Sequence, residues 1–93
     1  FTFNQRVENL YKSYFSTFEN ISISLDEDQI KIYLIDEQNL DPASLELKKF
    51  KQYDQITFWD GYSQSEVIET TSERESAKTL KRFMKKILKI LNR

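Results

Sequence analysis

The stretch ITFWDGYSQSEVIET (residues 56–70) decides the fold, and it holds the chain's single Trp and single Gly, at Trp59 and Gly61. Ile56 and Phe58 alternate with Thr57 and Trp59, a β-branched and aromatic run that suits a pleated strand. Asp60-Gly61 then signals a tight hairpin turn. Chain reversal between right-twisted strands needs positive φ, which Gly adopts with no Cβ clash. SEVIETT returns as the partner strand. Because side chains alternate along a strand, Trp59 and Thr57 belong to the face opposite Ile56 and Phe58. Trp59 is expected half-exposed beside the turn, on the partner-facing side of a sheet; burial against the sheet's own edge is the alternative.

Working outward, SLELKKFKQYD (44–54) precedes this strand. Leu45 and Leu47 alternate, while Ala43, Leu47 and Phe50 also suit a helical turn; the short spacing to residue 56 favours a strand over 45–50. Further upstream, ISISL (21–25) and IKIYLID (30–36) alternate around the polar DEDQ, the pattern of an antiparallel hairpin. Ile21, Ile23, Leu25, Ile30, Ile32 and Leu34 take one face. Tyr33 and Ile35 take the other and are more apolar than a merely solvated face requires.

Helices are predicted at both ends. Over residues 4–18, Val7, Leu10, Tyr11, Tyr14, Phe15 and Phe18 form one apolar stripe, with Asn4 or Thr2 as N-cap. Over residues 73–92, Ala77, Leu80, Phe83, Met84, Ile87, Leu88 and Leu91 form a second stripe, and Ser72 with Glu75 gives a capping-box pattern. Two amphipathic helices and one alternating sheet are buried best as layers. The expected architecture is a single α+β domain over residues 1–93. An antiparallel sheet of four or five strands carries the N-terminal and the C-terminal helix on one face.

Composition narrows the chemistry. The 93 residues include no Cys and no His, which removes disulfides, the commonest general base near neutral pH and the commonest transition-metal ligand. One Gly leaves no phosphate-cradling loop. DEDQIKIYLIDEQ (26–38) lacks the spacing and central Gly of a calcium loop. No metal site, cofactor or catalytic residue is expected, and the protein is read as a non-enzyme. No signal peptide is visible and no apolar run approaches the roughly 20 residues of a membrane span, so a cytoplasmic location is expected.

Charge is split along the chain. Residues 1–73 hold six basic and fourteen acidic residues, a net of −8; residues 74–93 hold eight basic residues and Glu75 alone, a net of +7. On the last helix Lys78, Lys81, Arg82, Lys85, Lys86 and Lys89 lie opposite the apolar stripe. They read either as the solvated face of a packed helix or as a contact for nucleic acid or phosphate. A membrane surface or a partner groove is a further use for such a helix. Against nucleic acid stands the acidity of the rest of the chain. Tyr33, Tyr53, Trp59 and Tyr62 stand among acids near turns, where aromatics serve as binding anchors and carboxylates attract a basic partner.

The segment from about Ser44 to Leu91 resembles the TriTu-type immunity proteins of bacterial polymorphic toxin systems, small α+β proteins encoded beside Rhs or contact-dependent toxins. The resemblance rests on a strand, then ITFW followed by an acid and a Gly, then the acid-bearing strand SEVIET, a polar link and a terminal helix with the apolar spacing of LKRFMKKIL. It covers about half the chain. It implies a non-catalytic protein that binds a cognate toxin domain, a nuclease in many such systems, as a monomer or weak dimer. The residues it carries over are Trp59, Gly61 and Glu66. With the aromatic and acidic neighbours, the expected partner-binding set is Tyr33, Asp54, Trp59, Asp60, Tyr62 and Glu66. The alternative is a nucleic-acid or phosphate-binding module that uses the six cations of the last helix.

Overall fold

A computed structural model describes residues 2–93. The chain runs α1 (Phe3–Phe15), β1 (Ile21–Leu25), β2 (Gln29–Leu34), β3 (Ser44–Lys49), β4 (Asp54–Trp59), β5 (Ser65–Thr70) and α2 (Glu73–Leu91). The five strands form one antiparallel sheet in the order β1-β2-β3-β4-β5, each paired with its neighbours in sequence. The weakest of the expected strands, 45–50, is present as β3.

Register explains why one face became the core. Ile23, Ile32, Leu45 and Phe58 lie side by side across four strands, as do Leu25, Ile30, Leu47, Ile56 and Ile68 across five. Both helices close this face. Val7 and Phe15 of α1 and Leu80, Phe83, Met84 and Ile87 of α2 are buried in one cluster with the strand residues. α2 packs on β3, β4 and β5, while α1 packs on β1 and against α2. Complete burial of each such side chain contributes roughly 1.5–3 kcal/mol, so the sheet and the helices stabilise one another.

The helix ends follow their capping chemistry. Of the two candidate N-caps of α1, Thr2 is used: its Oγ1 accepts from Gln5 N, and Gln5 Oε1 accepts from Thr2 N, a full capping box. α1 stops at Phe15, three residues short of the expected end, with Ser16 as C-cap; Phe18 still packs on the core from the following turn. At α2, Ser72 Oγ accepts from Glu75 N, while the Glu75 carboxylate receives the Ser72 hydroxyl instead of its backbone N–H. Inside the first turn of α2, the buried Ser76 hydroxyl donates to Asp54 Oδ2 at 2.8 Å and bonds the buried Thr70 hydroxyl. That network ties the start of α2 to β4 and β5.

The β4–β5 connection departs from a tight two-residue hairpin. Five residues, Asp60–Gln64, join the strands. Asp60 Oδ1 accepts from the backbone N–H groups of Tyr62, Ser63 and Gln64, and Asp60 N donates to Gln64 O. A carboxylate thus holds the loop from within. Gly61 has φ of +93°, as the reversal requires.

Candidate partner-binding surface

The sheet face away from the helices is uncovered. Its rows follow from the register: Ser22, Tyr33, Ser44, Trp59 and Ser65 in one, Ser24, Lys31, Glu46, Thr57 and Val67 in the next, then Gln29, Lys48, Gln55 and Glu69. Lys31 and Lys48 balance Glu46 and Glu69, so this face carries no net charge. Glu46 is occupied within it, accepting from Gln29 Nε2 at 2.8 Å and pairing with Lys48 at 3.4 Å. Tyr33 and Trp59 share the first row, with the small Ser44 between them. They stand roughly two strand spacings, about 9.6 Å, apart.

This row borders the end of the sheet where the β2–β3 and β4–β5 loops emerge, and the two loops are fastened together. Trp59 Nε1 donates to the carbonyl of Asp41 at 2.9 Å, and Asn39 Nδ2 donates to the carbonyl of Gly61 at 3.0 Å. Gly61 lies so close to Ala43 that a Cβ added to it would stand 3.0 Å from Ala43 N. The adjacency of Trp59 and Gly61 in sequence therefore has one cause. Both residues hold the β2–β3 loop, one by its indole and one by having no side chain.

The fastened loops present two bare apolar side chains to solvent. Leu40 is 103% exposed and Tyr62 76%. Ile35, just past β2 on the Tyr33 side by alternation, is also exposed. Asp36, Glu37, Asp41 and Asp60 stand in the same two loops. Apolar side chains rimmed by carboxylates suit a partner that is apolar at the centre of its contact surface and basic around it. The three N–H donors hold the Asp60 carboxyl below its ordinary value, that of Tyr62 most strongly, with Arg93 adding a smaller pull.

The expected set is divided by the structure. Tyr33, Trp59, Asp60 and Tyr62 come together at this end of the sheet. Asp54 and Glu66 do not: Asp54 alternates in step with Phe58 along β4, and Glu66 pairs with Phe58 across β4 and β5, so both belong to the helix-covered face. Asp54 receives the Ser76 hydroxyl. Glu66, opposite Phe58, is gripped by α2: Arg82 Nη2 reaches Oε1 at 3.0 Å and Lys86 Nζ reaches Oε2 at 2.8 Å. These two bonds, Lys86 first, hold the Glu66 carboxyl below its ordinary value. The cations themselves lie over aromatic rings, Arg82 at 4.8 Å from the Phe83 centroid and Lys86 at 5.2 Å from that of Phe58. Tyr53, at the opposite end of the sheet, stacks on Phe50 with centroids 5.0 Å apart.

The same geometry divides the basic set. Arg82 and Lys86 are neutralised by Glu66, whereas Lys78, Lys81, Lys85 and Lys89 are exposed and in no ion pair among the described residues. Leu40 was missed by the sequence reading. Its one signal is an apolar residue inside the loop run DEQNLDP (36–42), where nothing local asks for it.

No protein-family model, curated protein or solved structure matches the chain. No described helix is long and apolar enough to cross a membrane.

Proposed function

We propose that this protein binds and neutralises a cognate bacterial toxin domain in the cytoplasm, without catalysis, by docking it on the Trp59 end of the open sheet face. The observation that carries this reading is the pair Leu40 and Tyr62, bare on two loops that are held together by hydrogen bonds and that also carry Asp36, Glu37, Asp41 and Asp60. A preorganised apolar anchor loses little freedom on binding, so more of its contact energy appears as affinity. The carboxylate rim speeds encounter with a basic surface and mimics the charge of a nucleic acid that a nuclease toxin would otherwise bind. The resemblance of residues 44–91 to the immunity proteins of polymorphic toxin systems supports the choice of a toxin as the partner.

The experiment is co-expression with a candidate toxin encoded by a neighbouring gene. Cells should survive with the intact protein and lose protection with the Leu40→Ala, Tyr62→Ala double variant. Because both side chains are exposed, that variant should keep its melting temperature while affinity falls by about 2 kcal/mol or more, roughly 30-fold. Death at the same rate with and without the intact protein would overturn the proposal.

A further inference from the structure

On the far side of the molecule from the open sheet face, Lys78, Lys81, Lys85 and Lys89 follow one another along the outer side of α2. They occupy a line of about 16 Å at 1.5 Å rise per residue. Glu73 and Glu75, in the first turn of α2, stand at the Lys78 end of this line, and from Ser76 to Arg93 the chain has no further acid. The acids that give residues 1–73 their negative charge are mostly elsewhere. Glu19, Asp36, Glu37, Asp41 and Asp60 sit in loops at one end of the sheet, and Asp26, Glu27 and Asp28 sit at the other. Fields from such exposed groups fade within about 8 Å at physiological salt, so the overall acidity does not cancel the ridge.

We infer that this ridge binds the sugar–phosphate backbone of a nucleic-acid duplex without reading sequence. Four mobile ammonium groups, each a compact point charge with rotatable donors, fit a row of phosphates. The apolar side of α2 is turned into the core, with Leu80, Phe83, Met84 and Ile87 buried and Ala77, Leu88, Ile90 and Leu91 packed against them. The helix therefore has no apolar wedge to insert into a lipid surface. Phe83, the helix's only aromatic, is among those buried, which argues against a single strand held by stacked bases. This inference stands apart from the toxin-docking proposal, because it uses the opposite side of the sheet and none of its residues.

The test is fluorescence anisotropy of labelled 20-base-pair DNA and RNA duplexes, a single strand of the same length, and vesicles with anionic headgroups. Binding to either duplex should weaken with salt at a slope near −3.6 for four contacts, a loss of about 150-fold between roughly 50 and 200 mM. Lys85→Gln should lower the slope by about one, and the fourfold Lys78, Lys81, Lys85, Lys89→Gln variant should abolish binding. The fourfold Lys→Arg variant should retain it. Lys31→Gln with Lys48→Gln, on the open face, should change nothing. No duplex binding at low salt, tighter binding to the single strand or to vesicles, or a slope unmoved by the ridge variants would overturn the inference.

Discussion

The indole N–H of Trp59 donates to the main-chain carbonyl of Asp41, eighteen residues earlier, at 2.9 Å. The bond crosses from the last residue of β4 to the loop between β2 and β3, and it makes the Trp both a sheet residue and a loop clasp. Trp59→Phe keeps the aromatic body and removes only the donor. It should destabilise the protein by about 1 kcal/mol, the usual net worth of one hydrogen bond. Hydrogen exchange should quicken in residues 36–43, with little change at the opposite end of the sheet. Urea unfolding together with exchange mass spectrometry measures both effects.

Gly61→Ala adds a Cβ at φ of +93°, 3.0 Å from Ala43 N. A left-handed backbone disfavours any L side chain, and here the neighbour in the way is main chain, which cannot swing aside. A loss of about 1–3 kcal/mol is expected. In denaturant titration the midpoint should fall with no change in slope.

Ser76 is buried and joins Thr70 to Asp54 through its hydroxyl. Ser76→Ala leaves the Thr70 hydroxyl buried without that partner and should cost about 1–3 kcal/mol. The double variant Thr70→Val, Ser76→Ala removes both polar groups, and it should recover part of the loss. A double-mutant cycle by thermal unfolding reads the coupling directly.

Asp60 and Glu66 both have carboxyls held below their ordinary values of 3.8 and 4.5, Asp60 by the backbone N–H groups of its loop and Glu66 by Lys86 and Arg82. A depressed folded-state pKa means that the unfolded chain takes up the proton first as pH falls. The stability each group contributes is complete above the ordinary value and is lost as pH drops through the lower, folded one. Melting temperature should therefore begin to decline near about pH 5, where the unfolded carboxyls start to take up protons, and fall further below about pH 4. In Asp60→Asn the decline should be shallower and the starting stability at pH 7 lower. Carboxyl chemical shifts followed by pH titration check the order.

Glu66→Gln breaks two half-exposed ion pairs, so its effect on stability should stay within about 1 kcal/mol. It also releases Arg82 and Lys86 from their partner. Crystal or NMR structures of the variant should show both side chains less ordered over Phe58 and Phe83.

Much of this protein could be read from residue order alone, because the deciding forces are local. Strict alternation in ISISL, IKIYLI and QITFW sets which side chains share a face, and a period of two leaves Trp59 no way onto the side of Ile56 and Phe58. The same parity places Asp54 with Phe58, so its separation from Trp59 was already written in the alternation, whereas the face of Glu66 waited on the β4–β5 register. The apolar stripes around Val7 and Leu80 are bound to be buried, and five short strands in sequence form a meander with both helices on its apolar face. Three features needed the tertiary structure. The loops that carry Leu40 and Tyr62 were joined only when Asn39 bonded the Gly61 carbonyl and Trp59 that of Asp41, residues far apart in sequence. The turn after Trp59 took five residues because the Asp60 carboxylate could satisfy three N–H groups at once. Which of the α2 cations remain unpaired was settled by Glu66, a residue of β5 that reaches Arg82 and Lys86 only once helix and sheet have packed. Periodicity is a property of neighbours along the chain, whereas a hydrogen bond or ion pair belongs to whichever groups the folded core brings within 3 Å.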